Sequence, residues 1–242
     1  PPFYNIVILP LVVPFLIFMA IGPNTKWIKN NFNNIWQILL IILFSIILNF
    51  IIIYYFKSYS FLTNLIFVSS IFLIIHSILD FVKIYRKKIF LNSSRILSHL
   101  GFGLLVFFIG INHIFSIDYD LNLKVGEKKN FKDYNINFKS IEVNDKKNYK
   151  AIVGIFDVTN LMTNKKENLT PEIRIYDKPK TLTYEASIKT KINHDLYLTM
   201  SNLNRSEYYN IKFQKKPFML CIWLSALIIA FGGFLRLFKN EN

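Results

Sequence analysis

The chain has 242 residues, of which 52% are hydrophobic, 17% aromatic and only 18% charged, more apolar matter than one soluble core of this size buries. That balance excludes an ordinary soluble domain. A formal net charge of +14 would suggest nucleic acid in a soluble protein, but much of it flanks apolar spans, where lysine and arginine set membrane orientation, and no nucleic-acid partner is expected.

Crossing a bilayer takes about 20 predominantly apolar residues as a helix, and five stretches approach or meet that length: residues 5–21, 34–56, 61–82, 96–115 and 218–238. Pro10 and Pro14 lie inside the first and predict a kink there. The expected fold class is a polytopic α-helical membrane protein of about five transmembrane helices, with an exported, mainly antiparallel β domain between the last two. In domain terms, 1–115 is a membrane domain, 116–216 the β domain, and 217–242 a final helix with a short tail.

Orientation follows from the loops. If the helices alternate, Lys26, Lys29, Arg86, Lys87, Lys88, Arg95, Arg236 and Lys239 all fall on one side, which the positive-inside rule makes the cytoplasm or a mitochondrial matrix. The insert then lies in the periplasm or the intermembrane space of an inner membrane. No cleavable signal peptide is recognisable at Pro1-Pro2, and from the opening without methionine an incomplete or processed chain is expected. The abundance of Ile, Asn, Lys and Phe is read as AT-rich codon drift, so single asparagines and lysines carry no functional weight.

The insert reads as β. Segments 133–143, 149–158, 172–177, 182–190, 195–200 and 208–213 are short, rich in Ile, Val, Tyr and Phe, and separated by Asn, Asp, Lys and Pro clusters, as in an antiparallel sandwich or open barrel. Tyr134, Ile136 and Phe138 give the cleanest alternation. Residues 145–148 and 164–168 are expected as hairpin tips.

Chemistry-bearing residues are sparse. The single cysteine, Cys221, lies in an apolar stretch, so this chain alone assembles neither a disulfide nor a cysteine-based zinc site. Of four histidines, His99 stands inside a span, where a polar ring facing lipid is costly. His99, Gly103, Val106 and Gly110 share one helical stripe at 100° per residue. Two glycines beside an imidazole leave a shallow groove for a neighbouring helix or a flat macrocycle. The two readings are an interhelical hydrogen bond in a small-residue seam and an axial ligand to haem iron. His76 and Asp80, four apart, share a helix face and suit an ion pair, a proton relay or snorkelling towards Lys83 or Arg86. His113 reaches the aqueous boundary, and His194 sits at a turn before a strand. Gly232-Gly233 reads as a helix-packing surface, and Trp27, Trp36 and Trp223 as interfacial anchors. No hydrolase motif or phosphate-cradling glycine loop is present in the sequence.

Pro2-Phe3-Tyr4-Asn5, Gly22-Pro23-x-x-x-Trp27, His99-Leu100-Gly101 with Ile109-Gly110-Ile111, Asn148-Tyr149, Glu172-x-Arg174-x-Tyr176, Glu185-Ala186-Ser187-Ile188, Asp195-Leu196-Tyr197, Pro217-Phe218, Ile222-Trp223 and Gly232-Gly233 follow one another in order. Together they resemble the C-terminal part of CcmF, the large membrane subunit of the haem lyase of system I cytochrome c maturation. The resemblance implies a transmembrane b-type haem held by two histidines, of which His99 would be one; in that axial-ligand reading the stripe's Gly103 gives the ring plane room. It implies attachment of haem to the Cys-x-x-Cys-His of apocytochrome c, CcmE-like and CcmH-like partners, and a lipid bilayer setting. The family's tryptophan-rich haem-handling segment, its flanking histidines and the other transmembrane ligand have no counterpart here, and Tyr184 replaces a usual threonine. The chain then corresponds to a fragment or split-gene product, not active alone, beside an N-terminal CcmF portion. Other classes are a structural or assembly subunit without haem chemistry and a transporter subunit using His76 and Asp80.

The topology has a direct test: an export-dependent reporter is expected to be active when fused near Lys165 and silent when fused near Lys87. The reverse pattern would overturn the orientation.

Overall fold

The structure, a computed structural model, describes residues 2–25, 35–56, 60–86, 93–202 and 207–237. Loop residues Lys26, Trp27, Lys29, Lys87, Lys88 and Lys239 lie outside the described residues. The chain divides into two compact units, one built from residues 1–114 and 220–242 and the other from residues 115–219.

The first unit is helical: α1 (Pro2–Ile21), α2 (Ile35–Phe56), α3 (Phe61–Arg86), α4 (Ser93–Phe115) and α5 (Met219–Leu237). Where water cannot satisfy peptide groups, a helix bonds every one of them internally, so even the β-branched run of α2 is helical. Helices α2 to α5 each carry a stretch long and apolar enough to cross a membrane, whereas that of α1 is the shorter Pro10–Ile21. This is a multi-pass membrane protein. Helix α1 runs continuously through Pro10 and Pro14 and ends in a 3-10 turn over Gly22–Asn24. There the Thr25 hydroxyl and amide both donate to the Gly22 carbonyl, at 2.7 and 3.1 Å.

Leu16 and Ala20 of α1, Ile41 of α2, and Phe72 and Leu73 of α3 form the buried centre, with Phe102 and Val106 of α4 packed against it. Buried residues line α3 from Ile66 to Ser77. Ser69 and Ser70 turn their hydroxyls onto the Ile66 and Phe67 carbonyls, satisfying them within the helix. The outer face of α2 leaves Leu40, Phe50 and Trp36 mostly exposed, a surface suited to lipid tails.

The second unit is all β. One sheet orders its strands β1 (Ile117–Leu123), β10 (Tyr209–Pro217), β9 (His194–Asn202) and β8 (Ser187–Thr190). The other orders β2 (Lys128–Phe131), β3 (Tyr134–Asp145), β4 (Tyr149–Asn160), β6 (Glu172–Tyr176) and β7 (Leu182–Glu185), with β5 (Lys166–Leu169) also paired to β4. All pairings are antiparallel. Alternation puts Tyr134, Ile136 and Phe138 of β3 inward with Leu196, Leu198 and Met200 of β9 and Ile211 and Phe213 of β10, in one core. Phe138 and Phe156 stack at its centre with ring centroids 4.2 Å apart.

The expected segment 182–190 is two strands in different sheets, parted at Ala186. The Ser187 hydroxyl then accepts the Thr170 amide at 2.9 Å, tying the crossing strand to the β5–β6 turn. Strands β1, β2 and β5 were not among the expected segments. The tip at 145–148 closes as expected, Lys146 N donating to Tyr149 O at 2.9 Å.

Two charged groups are buried among the described residues of this unit, Asp157 and Asp195. Asp157 on β4 is 2% exposed, and its Oδ2 meets Lys139 Nζ of β3 at 2.7 Å and Lys166 Nζ of β5 at 2.6 Å. The β3–β4 register shifts between Phe138 and Ser140, where Lys139 lies, and such a bulge re-aims a side chain. Burial pushes the Asp157 carboxyl up, but the hydrogen bonds and charges of Lys139 and Lys166 outweigh it and hold the group below the usual carboxylate range. A depressed folded-state pKa adds stability above the unfolded value of about 3.9, lost as pH falls through the folded value. Thermal unfolding of the β unit is therefore expected at lower temperature as pH drops from about 5 to about 3. Asp157→Asn should lose stability at neutral pH and flatten part of that slope; an unaltered slope would show that the buried pairs contribute nothing.

Candidate functional site

The candidate site lies in the helical unit and is organised by α4. Two sets of small residues put its backbone against its neighbours. Ser94, Ser98 and Gly101 face α5. The Ser94 hydroxyl donates to the Gly232 carbonyl at 2.6 Å. A Cβ on Gly101 would meet Ile229 Cγ1 at 2.8 Å and the Ser225 carbonyl at 3.0 Å, and one on Gly232 would collide with Ser98. Among the described residues nothing lies within 4 Å of a Cβ added at Gly233, so of the pair only Gly232 packs there. Gly103 and Gly110 face α3 instead: added Cβ atoms would come within 3.0 Å of Ile74 Cγ1 and of the Phe67 ring respectively.

His99 is half-buried, with the backbone of Met19 at the end of α1 within reach of its ring. Arg95, Asp80 and His76 are close enough for their charges to act on it. Asp80 Oδ2 lies 3.5 Å from His76 Nδ1, and its Oδ1 lies 3.5 Å from Lys83 Nζ, with the carboxylate 13% exposed and the lysine 51% exposed. The expected His76–Asp80 pairing and the reach of Asp80 towards Lys83 thus coexist. The α3–α4 face therefore brings His99, His76 and Asp80 into one electrostatic neighbourhood, a polar cluster that lipid would penalise.

The other histidines stand apart from it. His113, exposed, lines an apolar cavity of about 530 Å³ with Phe67, Val106 and Gly110. His194 belongs to the β unit, its Nδ1 2.7 Å from Asn193 Oδ1. No group of three or more His, Cys, Asp or Glu suited to hold a metal ion exists among the described residues. Trp36 and Trp223 are largely exposed on α2 and α5, and Cys221 is a free thiol on α5.

Sequence reasoning placed His99 and its glycine stripe but missed Met19, since a backbone partner from a distant helix leaves no trace in composition. The Ser94-x-x-x-Ser98 spacing, a small-residue repeat on one helix face, could have revealed the α5 contact.

The β unit supplies the decisive comparison. Residues 114–217 match the family described as the CcmF C-terminal beta-sandwich. The chain as a whole is similar to the cytochrome c-type biogenesis protein CcmF of Haemophilus influenzae, 24% identical over 99% of this chain and 39% of that protein. It resembles the C-terminal part of CcmF. The CcmF of Escherichia coli is 26% identical over 98% of this chain and 37% of its own length. A solved structure named cytochrome c heme lyase CcmF shares the fold over 99% of this chain and 41% of that one, with a TM-score of 0.79 at 15% identity. The chain thus spans about two fifths of the length of each CcmF it matches.

Within the β unit, several motif residues that carry the CcmF resemblance have structural partners. Arg174 Nε meets Glu172 Oε2 at 2.8 Å, its NH1 lies 3.8 Å from Glu185 Oε1, and its guanidinium sits over the Tyr149 ring. Tyr197 donates to the buried Asp195 at 3.4 Å.

The close contact at Gly101 is testable. Gly101→Val is expected to overpack the α4–α5 seam and cost about 1–3 kcal/mol, read as a lowered unfolding midpoint in micelles, whereas Gly233→Val should be tolerated. Equal midpoints for the two variants would show that the seam is loose.

Proposed function

We propose that this chain is the C-terminal portion of a cytochrome c haem lyase of the CcmF type. It helps attach haem to the Cys-x-x-Cys-His of apocytochrome c and supplies one axial ligand, His99, to a transmembrane b-type haem. The second ligand comes from an N-terminal CcmF portion, and CcmE-like and CcmH-like proteins complete the assembly. The membrane is a bacterial or mitochondrial inner membrane, with the β unit on its outer face. The observation that carries this reading is that both units together, not the β-sandwich alone, align with CcmF over nearly the whole chain.

The residues present fit such a group in the chemistry of the donor. An imidazole that ligates iron is usually oriented through its other nitrogen by a carbonyl or carboxylate. The Met19 backbone within reach of His99 is suited to that second role, with the other ring nitrogen left for a ligand. A bound b haem supplies a redox-active iron whose potential its axial ligands and surroundings set. This chain's residues orient and shield. Gly103 contributes through the close α3–α4 approach that fixes the turn bearing His99. Asp80, 3.5 Å from both His76 and Lys83, belongs to that neighbourhood.

With the N-terminal portion and partner proteins present, the membrane complex is expected to carry b-type haem absorbance that His99→Ala removes while the unfolding midpoint stays unchanged. A haem-free complex containing all partners would favour a scaffold role and end the lyase reading.

A further inference from the structure

A second cavity, within the β unit, is lined by an excess of positive charge. It holds about 280 Å³ at the His194 end of β9 and β10, and its walls include Tyr134, Lys165, Glu167, Lys191, His194 and Lys215. At about 30 Å³ per water, that is room for several waters or for one small polyatomic group.

The charges do not cancel. Glu167 Oε1 meets Lys191 Nζ at 2.7 Å, and that hydrogen bond, against the opposing effect of burial, holds its carboxyl below the usual range. One lysine is thereby neutralised. Lys165 and Lys215 make no ion pair among the described residues; Lys215 Nζ stands 5.8 Å from the centre of the Tyr134 ring. The Tyr134 hydroxyl is itself buried without a hydrogen-bond partner in the described structure. His194 shows the local field. Burial first, then Lys215 and Lys191, hold its imidazole below the ordinary range, outweighing Asp195 and Glu167. The imidazole is therefore neutral at pH 7, and the cavity keeps two unbalanced ammonium charges.

We propose that this cavity binds a phosphate group. A phosphate dianion balances Lys165 and Lys215, whereas a single carboxylate would leave one of them uncompensated, and lysine serves oxyanions as a point charge with rotatable donors. The phosphate is free in solution or is a lipid headgroup. The second source follows from the chain itself, because β10 ends at Pro217, opposite His194 in the register, and the apolar helix α5 begins at Met219. Neither source depends on haem chemistry.

The test uses the full chain in maltoside micelles free of phospholipid, titrated with inorganic phosphate at constant ionic strength and followed by the His194 ring resonance and by calorimetry. Saturable binding with an upward shift of the His194 pKa is expected, because a bound dianion offsets the lysines that depress it. Lys165→Gln/Lys215→Gln should weaken binding by about tenfold or more, and Lys165→Arg/Lys215→Arg should retain it, both with the unfolding midpoint of the parent chain. Competition by dispersed phosphatidic acid at lower concentration than phosphate assigns the site to a headgroup; absence of competition assigns it to free phosphate, and either result supports the proposal. It is overturned if neither probe saturates, if the glutamine pair binds as tightly as the parent, or if the His194 resonance does not move with phosphate.

Discussion

Helix α4 brings its backbone close to two neighbours at small residues, while Phe102, Val106 and Phe107 pack beside those points. Ser94, Ser98 and Gly101 admit α5 at contact distance, and Gly103 and Gly110 admit α3. In lipid, association between helices gains nothing from excluding water, so close van der Waals packing and interhelical hydrogen bonds carry it. A helix gripped on two faces by glycines cannot rotate about its axis without collision. The direction of His99 is therefore set by residues that have almost no side chains of their own, and the Met19 contact adds only the last adjustment of the ring.

The β unit obeys a different rule. Its strands alternate inward and outward with period two, so the core is filled by aromatic and aliphatic residues from both sheets, and the outward positions are free to carry lysine and asparagine. The more deeply buried of its two buried carboxylates, Asp157, is tolerated because two ammonium groups reach it from flanking strands. A buried charge left without them would cost several kcal/mol. The two units thus meet the cost of burying polar groups in opposite ways, the helices by bonding every peptide internally and the sheets by bringing partners from neighbouring strands.

Much of this was legible in the residues. Apolar runs of membrane length gave the helices to within a few positions, and the Tyr134, Ile136, Phe138 alternation gave the central strand. The stripe of His99, Gly103, Val106 and Gly110 followed from helical periodicity, although which helix would fill it did not. What escaped had physical causes. Strand β1 alternates in Ile117, Tyr119, Leu121 and Leu123, but Asp118, Asp120 and Asn122 between them make the segment read as polar, so it fell inside the expected β domain without being singled out. Strand β5 is too polar to signal itself, since Lys166, Glu167 and Asn168 are held by pairing with β4. The break at Ala186 was invisible because a chain that leaves one sheet for the other keeps the same residue preferences in both. Residues 172–176 and 185 were recognisable as motif before any role was visible; the Arg174 cluster then proved to be a clasp across β4, β6 and β7.

Strands β1 and β10 lie side by side, Ile117 opposite Lys215, so the sandwich begins and finishes at adjacent points of one sheet edge. An insertion with that geometry asks little of its host, because its own ladder, not the host helices, holds the two ends together and bears the entropy of loop closure. The sandwich is a cassette: its loops and outer faces are free to diversify, or to exchange for another hairpin-ended module, without altering the spacing at which the chain departs and returns.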